Sequence, residues 1–251
     1  MSAAAADGAE PLLEPAEIQA LLGAAAEGGG EGGLRRVVEA GLVAYERLPM
    51  LEIVFDRLVR IMSGSLRNFT SDNVEVAMES MASLRFGDWL GAVPQPAMLA
   101  VFKVEEWDNY GLLLVDSALI YSVVDVLLGG RRGTAAMRME GRPYTSIERS
   151  LVERLLSVVL ADLSEAFRPV APVRFRFERL EANPRFAAIS RAANACVLSR
   201  FRVDMEDRGG RVELLLPHAT LEPAREALWA GWVWPACMIG IALLLIFYRE
   251  G

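Results

Sequence analysis

TSIERSLVERLLSVVLADLSEAF, Thr145 to Phe167, opens with a hydroxyl residue, follows it three places later with a carboxylate, and then repeats apolar residues every three or four positions. Thr145 and Glu148 at that spacing form a capping box, because each side chain satisfies a backbone N–H that the first helical turn leaves free. Ile147, Leu151, Leu155, Val158 or Val159, Leu163 and Phe167 then line one face of a long helix. The same texture occurs about 100 residues earlier. There Leu48, Leu51, Phe55, Leu58, Met62 and Leu66 give one apolar stripe along a helix of about 22 residues starting near Tyr45.

Both helices are followed by strand-like sequence. After the first, Val74, Val76 and Met78 alternate, Met98 to Phe102 reads as a second strand, and Leu112 to Val115 is a short apolar run. Asp116 or Ser117 then caps a helix from Ala118 to Leu128, which Gly129 stops. After the second, Val173, Phe175 and Phe177 share one face, as do Val197, Phe201, Val203 and Met205. An Asp-Arg-Gly-Gly turn at 207–210 leads into Val212 to Leu216, and a short helix through Glu222 to Leu228 closes the round. Because both the long helices and the strand-to-short-helix passages are displaced by about 100 residues, the chain reads as a duplicated helix-plus-sheet unit. The expected fold is α/β (α+β) and pseudo-twofold, with a mostly antiparallel sheet carrying two long helices on one face.

The folded domain is assigned to residues 42–228, between a tail at 1–41 and a hydrophobic segment at 229–251. The N-terminal stretch is acidic and rich in Gly and Ala, so it has too few apolar groups to offset the entropy of ordering, and most of it is expected to be mobile. Leu13, Ile18, Leu21 and Leu22 in LLEPAEIQALL nevertheless fall on or near one helical face. Such a segment is either a chance apolar cluster or a peptide that orders when a partner groove receives it. Trp229 to Tyr248 is uncharged and largely apolar, which fits a membrane anchor or the product of a truncated or frame-shifted reading; the abrupt change of texture after Leu228 favours the latter.

The 251 residues carry a net charge of -7, which leaves no global pull toward nucleic acid or anionic membrane. Cys196 and Cys237 are the two cysteines and have no Cys-x-x-Cys spacing, so they read as reduced packing residues. His218 is the single histidine and reads as a loop residue, and one imidazole supplies no metal set. Without a nucleophile elbow, a Walker loop or a zincin helix, the sequence carries no recognisable catalytic machinery, cofactor site or metal site. In LLGGRRG, Gly129, Gly130 and Gly133 surround Arg131 and Arg132. No Lys-Ser or Lys-Thr follows, so phosphate binding is a weak reading, and a helix exit explains one glycine. The others allow close approach by another surface while the arginines project charge, which makes protein docking the preferred reading. WDNYG, Trp107 to Gly111, reads as a turn between strands, with Gly111 relieving the backbone.

EIQALL at 17–22, SLRNFTSDNVEV at 65–76, SLRFGDWL at 83–90, WDNYG at 107–111, LIYSVVDVLLGGRRG at 119–133, EGRPYTSIE at 140–148, NPRFAAI at 183–189 and LLLPHATLEPAREAL at 214–228 together resemble the bacterial flagellar motor switch protein FliM family. The resemblance implies a non-enzymatic component of the cytoplasmic C-ring, peripheral at the inner-membrane face of the flagellar basal body. It implies capture of phosphorylated CheY by Glu17, Ile18, Ala20, Leu21 and Leu22, with Gln19 in place of the family's aspartate. It implies docking of FliG on Gly129, Gly130, Arg131, Arg132 and Gly133, and side-by-side packing of neighbouring FliM copies. The family's middle domain is also similar to CheC-type phosphatases of phosphorylated CheY, which use a Glu and an Asn three residues later. Here Glu148 is followed at that spacing by Leu151 and Glu52 by Phe55, so that activity is expected to be lost. Family members continue into a FliN-like domain where this chain has its apolar tail, which puts FliN contact in doubt and strengthens the truncation reading over the membrane-anchored adaptor.

Overall fold

The computed structural model describes residues 49–130, 142–205 and 208–229. The first apolar stripe forms helix α1, Pro49–Thr70, with Leu51, Val54, Phe55, Leu58, Met62 and Leu66 buried. The expected start near Tyr45 and the contribution of Leu48 lie outside the described residues. There follow β1 (Glu75–Arg85), α2 (Phe86–Ala92), β2 (Met98–Val104), β3 (Asn109–Val115) and α3 (Ser117–Leu127). The second half runs α4 (Ser146–Phe167), β4 (Phe175–Glu181), a 3-10 turn at Pro184–Ala187, β5 (Ala195–Met205) and β6 (Arg208–Pro217). The short terminal helix is broken into α5 (His218–Leu221), a 3-10 turn at Glu222–Ala224 and α6 (Arg225–Trp229).

The strands form one sheet in the order β1-β5-β6-β3-β2-β4, every neighbouring pair antiparallel. Exchange the first three strands for the last three and this order reads the same from the other edge. The duplication is therefore visible as a pseudo-twofold: β3 and β6 meet at the centre, and each half lends its edge strand to the other half's sheet. Such an arrangement interlocks the halves, since neither repeat completes its hydrogen bonding alone.

On one face α1, α3 and α4 cover a continuous core built from Phe55, Leu58, Phe102, Leu113, Leu156, Phe167, Phe201 and Leu214, among others. On the other face Phe86 and Trp89 of α2, with Ala187 of the 3-10 turn, cover Leu99, Val101, Leu112, Leu114, Leu198 and Leu215. Covering on both sides explains why β2 and β3 are apolar runs rather than alternating strands.

Four details depart from the sequence reading. In α4 Ile147 is 62% exposed, and the buried face runs instead through Val152, Leu155, Leu156, Val159, Leu160 and Leu163. The face is widened because α1 and the sheet both press on α4, so two adjacent ridges are needed where one stripe was expected. In β4 a register irregularity pairs Val101 with Arg179 but Phe102 with Phe177, leaving Glu178 as an extra residue, so Leu180 takes the next inward place and Phe177 is only half-buried. Arg208, Gly209 and Gly210 belong to β6, paired with Met205, Asp204 and Val203, so the chain reverses before them. Gly210 is needed for closeness: a Cβ there would lie 2.4 Å from Asp116 Oδ1 and 2.5 Å from the Leu119 amide nitrogen. Likewise Gly111 lies in β3 opposite Phe102, whose ring fills the space a Cβ would take. The turn of WDNYG rests on Asp108, which has a φ of 49° and pairs with Lys103.

Candidate docking surface

Asp116 caps α3 by accepting a 2.7 Å hydrogen bond from the Leu119 amide. At the other end the backbone closes on itself. The Gly130 amide donates to the Asp125 carbonyl at 2.7 Å and the Gly129 amide to Val126 at 3.1 Å, with Gly129 at a φ of 82°. These are the nested bonds of a Schellman ending, which satisfy carbonyls the helix would leave free and require a left-handed residue at Gly129. Leu128, immediately before it, is 69% exposed. An apolar side chain on a fixed, exposed turn beside glycine backbone is suited to receiving a protein surface.

Asp125 lies in the last turn of α3, where the partial negative charge of the helix end disfavours a carboxylate. It is compensated by an ion pair with Arg208 of β6, whose side chain is 5% exposed. That pair fastens the C-terminal end of α3 to the first residue of β6. Of the residues expected at this site, Gly129 and Gly130 are brought together; Arg131, Arg132 and Gly133 lie outside the described residues, as do Glu17, Ile18, Ala20, Leu21 and Leu22. Of the apolar segment 229–248 only Trp229 is described, and among the described residues no helix is long and apolar enough to cross a membrane.

The chain re-enters the described structure at Arg142, and a second cluster stands there. Arg142 holds Glu148 through both terminal nitrogens, Nη1 donating to Oε2 at 3.1 Å and Nη2 to Oε1 at 2.5 Å. Glu148 Oε2 also accepts from the Thr145 amide at 2.7 Å and from its hydroxyl at 2.9 Å, completing the capping box. Burial pushes the Glu148 carboxyl up, but the Arg142 guanidinium and the bonds from Thr145 together outweigh it and hold the group below the usual carboxylate range. The Arg142 guanidinium stands 5.8 Å over the ring of Tyr121 on α3, and that ring meets Tyr144 with centroids 6.1 Å apart. Tyr144 donates its hydroxyl to the Pro96 carbonyl at 3.2 Å.

Sequence reasoning missed Tyr121, Asp125, Arg142, Arg208 and Leu128. Only Asp125 carried a usable signal, as an acid at a helix C-terminus with no basic neighbour in the last turn. Its partner is 83 residues away, which no spacing rule reveals.

The Glu-x-x-Asn reading is also resolved in detail. Both oxygens of Glu148 are engaged and its side chain is buried, while Glu52 is exposed but Phe55, three residues on, points into the core. His218 begins α5 instead of lying in a loop, with Nε2 3.2 Å from the Ser83 hydroxyl. Cys196 is fully buried, and burial pushes its thiol up to about 12. Among the described residues no group of three or more His, Cys, Asp or Glu is placed to hold a metal ion.

The fold is shared with solved motor-switch domains. A FliM middle domain from Vibrio alginolyticus superposes with a TM-score of 0.64 at 27% identity, covering 71% of this chain and 99% of that one. The FliM of an H. pylori FliG–FliM complex gives 0.65 at 21% identity, covering 72% and 100%. The architecture is thus that of a flagellar motor-switch middle domain. The model of the family "flagellar motor switch protein FliM" matches residues 44–232, and the chain belongs to that family. The FliM of Caulobacter vibrioides NA1000 is 65% identical over 226 residues, 88% of this chain and 60% of that protein. The FliM of Pseudomonas aeruginosa is 29% identical over 185 residues, 74% and 57%. The chain therefore spans about 60% of the length of the curated relative from Caulobacter.

Proposed function

We propose that this chain is a structural and signal-transmitting part of the flagellar motor switch, which docks FliG and captures phosphorylated CheY to bias the direction of rotation. FliG meets the turn Leu128 to Gly130 with the following Arg131, Arg132 and Gly133. Phosphorylated CheY is held by the peptide Glu17, Ile18, Ala20, Leu21 and Leu22, and neighbouring copies stand beside one another in the C-ring at the cytoplasmic face of the inner membrane. The observation that carries this reading is the exposed turn after α3, whose backbone is locked by the Gly129 and Gly130 amides while Leu128 stays uncovered. A relative of the same fold, from H. pylori, is known in complex with FliG.

No bond chemistry is needed. A signal held by a tethered peptide is concentrated beside the domain. It shifts a two-state ring by its differential affinity for the two arrangements, and FliG reads the change. The occupied carboxylate of Glu148 speaks against a CheC-like phosphatase. The test is a pull-down of the full chain against FliG and phosphorylated CheY. Replacing Gly129 and Gly130 by bulky residues is expected to remove FliG alone, and Ile18→Asp with Leu22→Asp to remove CheY alone. Retention of FliG by the first variant would relocate docking away from this turn, and retention of CheY by the second would relocate capture.

A further inference from the structure

We infer that Arg142 is a positioning residue for the docking turn: by binding Glu148 on α4 and the Tyr121 ring on α3 at once, it sets the direction in which the Leu128–Gly130 end of α3 is presented. The inference rests on the proposed docking of FliG at that turn.

The argument begins with what holds α3. Its apolar face, Leu119, Ile120, Val123 and Val124, sits on the shared core, which fixes depth but, being non-directional, fixes orientation weakly. Directional ties supplement it, and at the head and middle of the helix they run to β6: the Asp116 amide donates to the Arg211 carbonyl at 3.1 Å and the Ser122 hydroxyl to the Gly209 carbonyl at 3.5 Å. Asp125, one turn before the end, pairs with Arg208 on β6. Tyr121, a turn earlier, is 8% exposed and lies under the Arg142 guanidinium. Arg142 itself is not free to follow α3. Both of its terminal nitrogens are committed to the Glu148 carboxylate, and Glu148 is committed to the first turn of α4 through Thr145. A planar guanidinium in a two-point grip is held in plane as well as in place. Its place over the Tyr121 ring therefore transfers the position of the α4 head to α3. The ties from Asp116, Ser122 and Asp125 all run to β6 and leave α3 able to roll about that strand; the tie through Tyr121, to the head of α4, opposes the roll.

The bland alternative is that Arg142 and Glu148 merely close the N-terminus of α4. Glu148→Gln separates the two. Glutamine serves the capping box as well as glutamate, whereas its NH2 group cannot accept from Arg142 and the two-point grip is lost. Tyr121→Leu keeps an apolar residue on α3 but removes the ring.

The experiment uses the full chain, with FliG affinity measured for wild type, Glu148→Gln, Tyr121→Leu, the double variant and Gly129→Val. Amide exchange at Gly129 and Gly130 is followed in the same proteins. Each single variant at 148 or 121 is expected to weaken FliG about tenfold. The double variant should lose no more than the weaker single one, because both act through Arg142. Exchange at Gly130 should quicken while amides from Leu155 to Leu160 keep their rates. If Gly129→Val abolishes binding but Glu148→Gln binds within about twofold of wild type, Arg142 only caps α4 and the inference is overturned with docking intact. If Gly129→Val binds FliG as wild type does, the docking reading falls instead, and exchange decides alone: faster exchange at Gly130 upholds positioning by Arg142, and an unchanged rate removes it.

Discussion

Ser65 of α1 and Asp162 of α4 are bonded to each other across the two long helices: the Ser65 hydroxyl donates to Asp162 Oδ1 at 2.8 Å. The pair stands where the two helices pack, and a hydroxyl facing a carboxylate supplies a donor and an acceptor where two carboxylates would repel.

That bond leaves Asp162 Oδ2 buried with no hydrogen-bond partner. Burial pushes the Asp162 carboxyl above its ordinary value of 3.8, and the Ser65 hydroxyl pulls the other way without cancelling it. A carboxyl raised on folding binds its proton more tightly in the native state. Its contribution is best below pH 3.8, falls as pH climbs through the raised value, and stays low above it. Asp162→Asn remains neutral throughout. Thermal melts should show it more stable than wild type by on the order of 1 kcal/mol near neutral pH, with the difference vanishing in acid. A variant that melts lower than wild type at neutral pH would show that the charge is stabilising there.

Glu148 lies on the same helix and has the opposite sign. Because its carboxyl is held low by Arg142 and Thr145 against burial, its contribution is present above the ordinary value of 4.5 and is lost as pH falls through the depressed one. Wild type should therefore lose stability on this account in acid, and Glu148→Gln should flatten that limb of the curve. Denaturant midpoints taken across the acid range measure it. An unchanged limb would mean that the Arg142 pair is too solvated to matter.

The two helices were legible because each writes its buried face at helical spacing, and the Thr145–Glu148 capping box is a local signal confirmed atom by atom. Their pseudo-symmetry was legible from the repeated order of elements. The partners of α3 were not, since Asp125 with Arg208 and Tyr121 with Arg142 are tertiary pairs with no periodic trace. Helix α2 was missed because Phe86 and Trp89 are its only two buried residues, too few to show a period in seven. The Asp-Arg-Gly-Gly composition at 207–210 predicts a turn, whereas Gly209 allows β6 to approach Val203 of β5 and Gly210 allows it to approach the head of α3.

Gly210 makes that distinction testable. A methyl group at this position meets the Asp116 carboxylate and the Leu119 backbone, both parts of the α3 cap. Neither can yield without breaking the bond from the Leu119 amide to Asp116. Gly210→Ala should cost about 1–3 kcal/mol, as expected for overpacking, and should quicken exchange at the Leu119 amide. Were 210 simply a turn position at negative φ, alanine would be neutral or slightly stabilising.

Leu128 and Gly129 separate folding from docking at one turn. Leu128 is exposed, so it contributes little to the core, and Leu128→Lys should change stability by no more than about 0.5 kcal/mol. Gly129 holds a φ of 82°, which a side-chain-bearing residue adopts only with strain, and Gly129→Ala should cost about 1 kcal/mol. Gly129→Asn should recover part of that loss, since asparagine visits the left-handed region more readily. If FliG docks here, the stability order and the binding order must disagree. Leu128→Lys, the least harmful to folding, should weaken FliG at least as much as Gly129→Asn does, because it places a desolvated ammonium where an apolar contact is made. Paired melting and affinity measurements on the three variants give both orders. Binding that simply tracks stability would mean that the turn matters to FliG only through the integrity of α3.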